Sequence, residues 1–369
     1  MTDTPEPDRV PGAPHPRDAI ALYGQTAAEE AFLQAFNAGR LHHAWLITGL
    51  RGVGKATLAW RIARFLLATP EAGGGLFGET LAPNNLDISS DHPVARRLVA
   101  GAEPGFFHIT RRINESTGRM RSEIVAETVR DLNRFLQMSS ADGGRRVVLI
   151  DSADEMNPQA ANALLKMLEE PPERTTFLLI SHQPARLLPT IRSRCRDVRL
   201  SELGPEDMQR ALADAGVEAG ADAAAITELS GGSVGEAVRL IGLEGVALYR
   251  DLIDIMGSLP SLDRVRAGKL AGQMAARGAE ERLDLFFSLT DLMLARMARA
   301  GAMGQSPVEA TKGEAAAFQN LAPTAAKARD WAALAQDIGG RARHGRAVNL
   351  DPAALVLDTV LKLQSCAKA

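Results

Sequence analysis

From Ala27 to Phe36 the apolar residues Ala27, Phe32, Leu33 and Phe36 recur at helical spacing, and Gly39 follows where such a helix stops. The continuous apolar run Ala44-Trp45-Leu46-Ile47-Thr48 then predicts a buried strand. It leads into a Gly-rich turn and a helix from Thr57 to Ala68 with Leu58, Ile62, Phe65 and Leu66 on one face. Residues 69–105 are rich in Gly, Pro and Asn with weak periodicity and predict a loop-rich insertion. Phe107-His108-Ile109 predicts a strand entering a hairpin around Asn114 to Gly118, and Val125, Val129, Leu132 and Leu136 return to helical spacing. Val147 to Ile150, Thr176 to Ile180 and Val198 to Leu200 predict further strands, with a helix from Pro158 to Leu168 between the first two. Strands alternating with helices imply a doubly wound parallel sheet.

Beyond Leu203 the strand signals stop. Pro205 to Ala213, Ala221 to Leu229 and Val234 to Leu243 read as three short helices, broken by Gly231 and Gly232. Longer helices follow at Val246 to Met256, Asp263 to Ala276, Arg282 to Ala300, around Trp331 and from Pro352 to Leu363. The expected organisation is a disordered tail over 1–17, an α/β P-loop domain over 18–203, a three-helix lid over 204–245 and an all-α domain over 246–369.

Composition narrows the function. A chain of 369 residues that is 46% apolar fills several cores, and a net charge of -3 argues against a protein held to nucleic acid by its overall charge. Two cysteines, Cys195 and Cys366, are too few for a disulfide framework or a Cys-ligated zinc site. The first twenty residues lack the apolar stretch of a signal peptide, so a cytoplasmic protein is expected.

The turn after the first strand, Gly49-Leu50-Arg51-Gly52-Val53-Gly54-Lys55, fits the P-loop pattern in the strand-to-helix context the motif requires. Gly49, Gly52 and Gly54 let backbone N–H groups turn onto phosphate oxygens, and Lys55 adds a full positive charge. The next position normally carries the hydroxyl that coordinates Mg²⁺, but here it is Ala56. Thr57 lies one residue on, turned by about 100° around the helix, and does not replace it. ATP or ADP is therefore expected to bind weakly.

The strand Val147 to Ile150 ends in Asp151, as the carboxylate-bearing strand of a P-loop sheet does. Ser152 stands where a water-polarising Glu belongs, and Asp154 and Glu155 read as charges at a helix start.

Further motifs carry a resemblance. Leu41 to Leu46, Asn162-Ala163-Leu164-Leu165-Lys166, Leu168-Glu169-Glu170-Pro171-Pro172 and Ser193-Arg194-Cys195 resemble the clamp-loader branch of the AAA+ family. Asn349-Leu350-Asp351-Pro352 and the helix after it are similar to the closing segment of bacterial delta-prime subunits. The resemblance implies that Arg194 is an arginine finger acting in trans on a neighbour's ATP, and that the chain is a stator without its own hydrolysis. Implied partners are motor subunits of gamma/tau type, a delta subunit, the sliding clamp and, through the assembly, primed DNA.

Three departures separate the chain from motor subunits: Ala56, Ser152, and Gly235 in place of a lid arginine. Ser233 and Glu236 instead read as a capping box. Many relatives hold zinc through four cysteines after the P-loop helix, but residues 69–110 contain none, so no zinc is expected. Between Arg111 and Arg146 eight arginines face five acidic residues, which suits either DNA backbone contact or a solvated face. The pattern from Arg282 to Ala300 is the expected inter-subunit face of a helical collar. Competing readings are an active motor ATPase and an unrelated P-loop enzyme of kinase type.

Overall fold

The computed structural model describes residues 6, 7, 9–69, 82–114, 116–118, 120–137 and 144–368. Residues 1–5 and 8 of the expected tail, 70–81 of the expected insertion, and Glu115, Arg119 and Asp142 of the arginine-rich stretch lie outside the described residues. The chain forms two compact units, one of residues 1–217 with 232–235, the other of residues 218–231 with 236–369.

The first unit runs α1 (Thr26–Asn37), β1 (Ala44–Thr48), α2 (Lys55–Ala68), α3 (Pro93–Val99), β2 (Phe106–Ile109), α4 (Ala126–Gln137), β3 (Arg146–Ile150), α5 (Pro158–Glu169), β4 (Thr175–Ser181), α6 (Pro189–Arg192), β5 (Arg196–Arg199) and α7 (Pro205–Asp214). All five strands are parallel, in the order β2-β3-β4-β1-β5. Thr48 pairs with Ser181 in register, so the chain leaves β1 and β4 side by side at the carboxyl edge, where open α/β sheets bind ligands.

Alternation along β1 explains why both sheet faces are covered. Ala44 and Leu46 join Val148, Phe177, Leu132 and Leu164 in the core beneath α4 and α5, whereas Trp45 meets Phe32 of α1 at 5.0 Å between ring centroids. Phe32 in turn packs edge-on to Phe65 of α2. Each such fully buried side chain stabilises by about 1.5–3 kcal/mol.

The stretch expected to be disordered over 1–17 has defined structure in its described part. His15 is 4% exposed and stands edge-on to Trp60, and Arg64 donates to the carbonyls of Arg17 and Ala19. Two arginines buried on α2, Arg61 and Arg64, need acceptors, and the backbone from Arg17 to Ile20 supplies several of them. The expected insertion likewise contains a helix, α3, capped by the His92 side chain and started by Pro93.

The second unit is helical: α8 (Ala223–Ser230), most of α9 (Val234–Gly242), α10 (Gly245–Ser258), α11 (Arg264–Met274), α12 (Glu280–Met303), α13 (Glu314–Leu321), α14 (Ala325–Ala347) and α15 (Pro352–Lys368). The apolar face of α12, expected between subunits, is instead buried inside this unit: Leu283, Phe286, Leu289, Met293 and Met297 are all core residues. A polar node lies in the same core. Glu314 is fully buried and accepts from Tyr249 Oη at 2.7 Å, Arg296 Nε at 2.8 Å and the Ala310 amide at 2.7 Å. Arg296 also donates to the Val308 carbonyl at 2.6 Å. Burial and the Glu314 carboxylate push the Tyr249 phenol above its ordinary range.

Candidate nucleotide site and the Arg194 turn

Three glycines turn the P-loop. Gly49, Gly52 and Gly54 have φ of 139°, 80° and 101°, values that side chains disfavour. Close approach adds a second reason at Gly52, where a Cβ would lie 2.4 Å from Ser233 Oγ and 2.9 Å from the Gly235 Cα. Ser233 Oγ donates to the Arg51 carbonyl at 2.8 Å, and the Gly235 amide donates to the Gly52 carbonyl at 3.0 Å. The segment expected only to cap a helix therefore also fastens onto the P-loop. Gly235 has no room for a side chain, since its own Cβ would meet the Gly52 Cα at 2.9 Å.

Lys55 opens α2 and is 3% exposed. Its Nζ donates to the carbonyls of Gly49 at 2.8 Å and Leu50 at 2.5 Å, so the charge is folded back onto the loop. Burial lowers its pKa to about 8, with Asp151 and Asp154 opposing the shift and Arg51 adding to it. Ala56 and Thr57 occupy the first turn of α2, so no hydroxyl stands at the metal-ligand position. Between about 8 and the ordinary 10.5 an unfolded chain holds the Lys55 proton and the folded one does not, so stability rises with pH across that window. Lys55→Met is expected to flatten this rise by on the order of 3 kcal/mol. Denaturant titrations of both proteins between about pH 7.5 and 10.5 check it, and parallel curves would refute it.

Asp151 follows β3 and is buried, and Ser152 Oγ donates to its Oδ1 at 3.0 Å. A serine that donates to the acid supplies no base for water. Asp154 does more than charge a helix start: its two oxygens accept from the amides of His182 at 3.0 Å and Gln183 at 3.2 Å, tying the ends of β3 and β4 together. Burial, then the nearby Lys55 charge, pushes His182 down to about 4, so it is neutral at physiological pH. Sequence reasoning missed His182, because a lone His after a strand carries no pattern. Among the described residues no group of three or more His, Cys, Asp or Glu is placed to hold a metal ion.

Arg194 sits in the turn between α6 and β5, away from the core, with 35% of its side chain exposed. Nη1 donates to the Thr190 carbonyl at 3.0 Å and Nη2 meets Glu169 Oε1 at 2.9 Å. Glu169 ends α5, and Pro171 and Pro172 stop that helix from continuing. Cys195 is half-buried and burial pushes its thiol up to about 12, so it is inert. Several arginines of the Arg111–Arg146 stretch are engaged within the unit: Arg111 with Glu155, Arg112 and Arg134 with Asp131, Arg146 with the Leu136 carbonyl, and Arg145 over the Phe36 ring.

A family model described as "DNA polymerase III, delta subunit" matches residues 24–204. The DNA polymerase III subunit delta' of Pseudomonas aeruginosa is 41% identical over 212 residues, 56% of this chain and 58% of that one. Over its P-loop domain the chain is similar to the DNA polymerase III delta-prime subunits. The Escherichia coli delta' subunit is 33% identical over 183 residues, 50% of this chain and 48% of that one. Outside the delta-prime group, the Escherichia coli DNA polymerase III subunit tau is 32% identical over 197 residues, 53% of this chain and 27% of that one. The chain thus spans about half the length of the curated delta-prime relatives it matches. The sheet, the P-loop and Arg194 all fall inside the matched residues.

Proposed function

We propose that the chain is the stator subunit of a bacterial sliding-clamp loader of the DNA polymerase III holoenzyme, joining ATP-driven loading of the clamp onto primed DNA without hydrolysing ATP itself. The observation that carries this reading is the carboxyl edge of the sheet. Ala56 offers no oxygen to Mg²⁺, Ser152 donates to Asp151, and Lys55 is bonded to the loop's own carbonyls. Gly235 supports it from the lid side, because an arginine there would collide with Gly52. An active motor ATPase needs all of these parts, and a kinase-type P-loop enzyme has no use for an exposed arginine paired beside Leu168-Glu169-Glu170-Pro171-Pro172.

In this reading motor subunits of gamma/tau type and a delta subunit are the neighbours, in the cytoplasm, and the second unit helps to hold them as a collar. No helix among the described residues is long and apolar enough to cross a membrane. Arg194 reaches a neighbour's ATP in trans, where its planar, permanently charged fork suits the spreading charge of phosphoryl transfer. ATP or ADP binds this chain's own P-loop weakly, since binding must first release Lys55 from two carbonyls. The purified chain is expected to show no Mg²⁺-dependent ATP turnover above background, and to be required when motor and delta subunits load a clamp onto primed DNA. Motor-like turnover by the chain alone, abolished in Lys55→Ala, would overturn the reading.

A further inference from the structure

The Glu169–Arg194 pair has no explanation in stability. Both side chains are partly exposed, 44% and 35%, and ion pairs of that kind contribute little. Glu169 is also badly placed for its own helix. It occupies the last position of α5, where the partial negative charge of the helix end repels a carboxylate, and Glu170 and Glu173 follow closely. What offsets this arrangement is Arg194, arriving from the other side of β4 in sequence.

The bonding pattern gives the pair a purpose. A guanidinium carries five N–H donors in one plane. Thr190 fixes that plane through Nη1 and Glu169 through Nη2, so two acceptors on different elements, α6 and α5, hold it at two points while the partly exposed group keeps donors for an outside oxyanion. Thr190 is itself held, since its carbonyl also accepts from Ser193 Oγ at 3.1 Å. A long side chain otherwise free among many rotamers is thereby ordered before any partner arrives, which lowers the entropy lost when it engages phosphate.

We propose that Glu169 is the positioning residue for Arg194, presenting the guanidinium in the orientation that meets a neighbour's nucleotide. The proposal rests on Arg194 acting in trans, and the test keeps the two apart. In the reconstituted complex, single-turnover ATP hydrolysis with clamp and primed DNA is measured for Glu169→Ala, Glu169→Gln, Glu170→Ala and Arg194→Ala. Glu169→Ala is expected to slow the phase belonging to the adjacent site roughly three- to tenfold with unchanged ATP affinity, the scale of one ordinary hydrogen bond at a partly exposed site. Glu169→Gln keeps an acceptor oxygen and is expected to recover most of that loss, while Glu170→Ala behaves as wild type. Added to Arg194→Ala, Glu169→Ala is expected to change nothing further.

Glu169→Ala at or above the wild-type rate beside a crippled Arg194→Ala would overturn the positioning role and leave the arginine's role standing. A further loss on the Arg194→Ala background would make Glu169 merely structural. Arg194→Ala at the wild-type rate would sink both.

Discussion

Arg194→Ala is expected to leave the chain folded and the assembly intact, and to slow hydrolysis at the one neighbouring ATP site by on the order of 10³ or more. Arginine fingers contribute roughly 10³ to 10⁵ in rate where they have been measured, because the charge they meet develops only in the transition state. The stability of the chain hardly depends on the same group, whose ion pair and carbonyl bond are both at the surface. The matched control is Arg192→Ala, which removes an exposed charge from the same turn. Arg196 is unsuitable, since its guanidinium lies over the Trp45 ring at 4.9 Å and its loss disturbs packing. DNA- and clamp-stimulated ATPase of the reconstituted complex reads the outcome. If both variants match wild type, or if Arg194→Ala blocks assembly, the segment Ser193-Arg194-Cys195 is structural.

The largest expected loss of stability belongs to Glu314→Ala in the second unit. This change takes the shared acceptor from the buried Arg296 guanidinium, the Tyr249 hydroxyl and the Ala310 amide at once, leaving Arg296 the Val308 carbonyl and a looser pairing with Glu228 at 3.7 Å. Removing one partner of a buried ion pair typically costs about 3–5 kcal/mol, since the other charge stays buried without compensation. Tyr249→Phe, which leaves Arg296 and Glu314 paired, is expected to cost only about 1 kcal/mol. Chemical denaturation of the full chain distinguishes them. A Glu314→Ala loss as small as that of Tyr249→Phe would mean that the carboxylate holds nothing together. Replacing the pair jointly, Arg296→Met with Glu314→Leu, is expected to recover much of the loss because neither buried charge remains and Glu228, which loses Arg296, is partly exposed.

The strands and most helices were legible because their apolar runs and periodicities are long enough to outvote chance. β1 coincides with its expected bounds, since His43 and Gly49 punctuate a run that is apolar up to Thr48. α2 begins two residues before the expected Thr57, because periodicity registers apolar positions and Lys55 belongs to the turn and the helix together. α3 and α13, of seven and eight residues, escaped detection, since so short a helix gives its repeat little room to show. Periodicity also marks an apolar face without saying what covers it. That is why α12 read as a surface for another subunit when helices of its own unit bury it.

The site divides along the same line. Residue types announced the P-loop, Asp151 and the missing Mg²⁺ ligand, since each is a matter of chemistry at a fixed spacing. Long-range approaches were invisible. Nothing local links Ser233 to Arg51, Asp154 to His182 or Glu169 to Arg194.

Synthesis of the chain takes time, and the first unit is discontinuous in sequence. Ser233 reaches back across 182 residues to Arg51, and Gln25 bonds Ser201 across 176. At roughly 5–20 residues per second on a ribosome, the P-loop emerges on the order of ten to forty seconds before the turn that fastens onto it. During that interval the glycine loop lacks the bonds that Ser233 and Gly235 later give it. That fastening is a contact of very high sequence separation, so it is among the last the unit can complete.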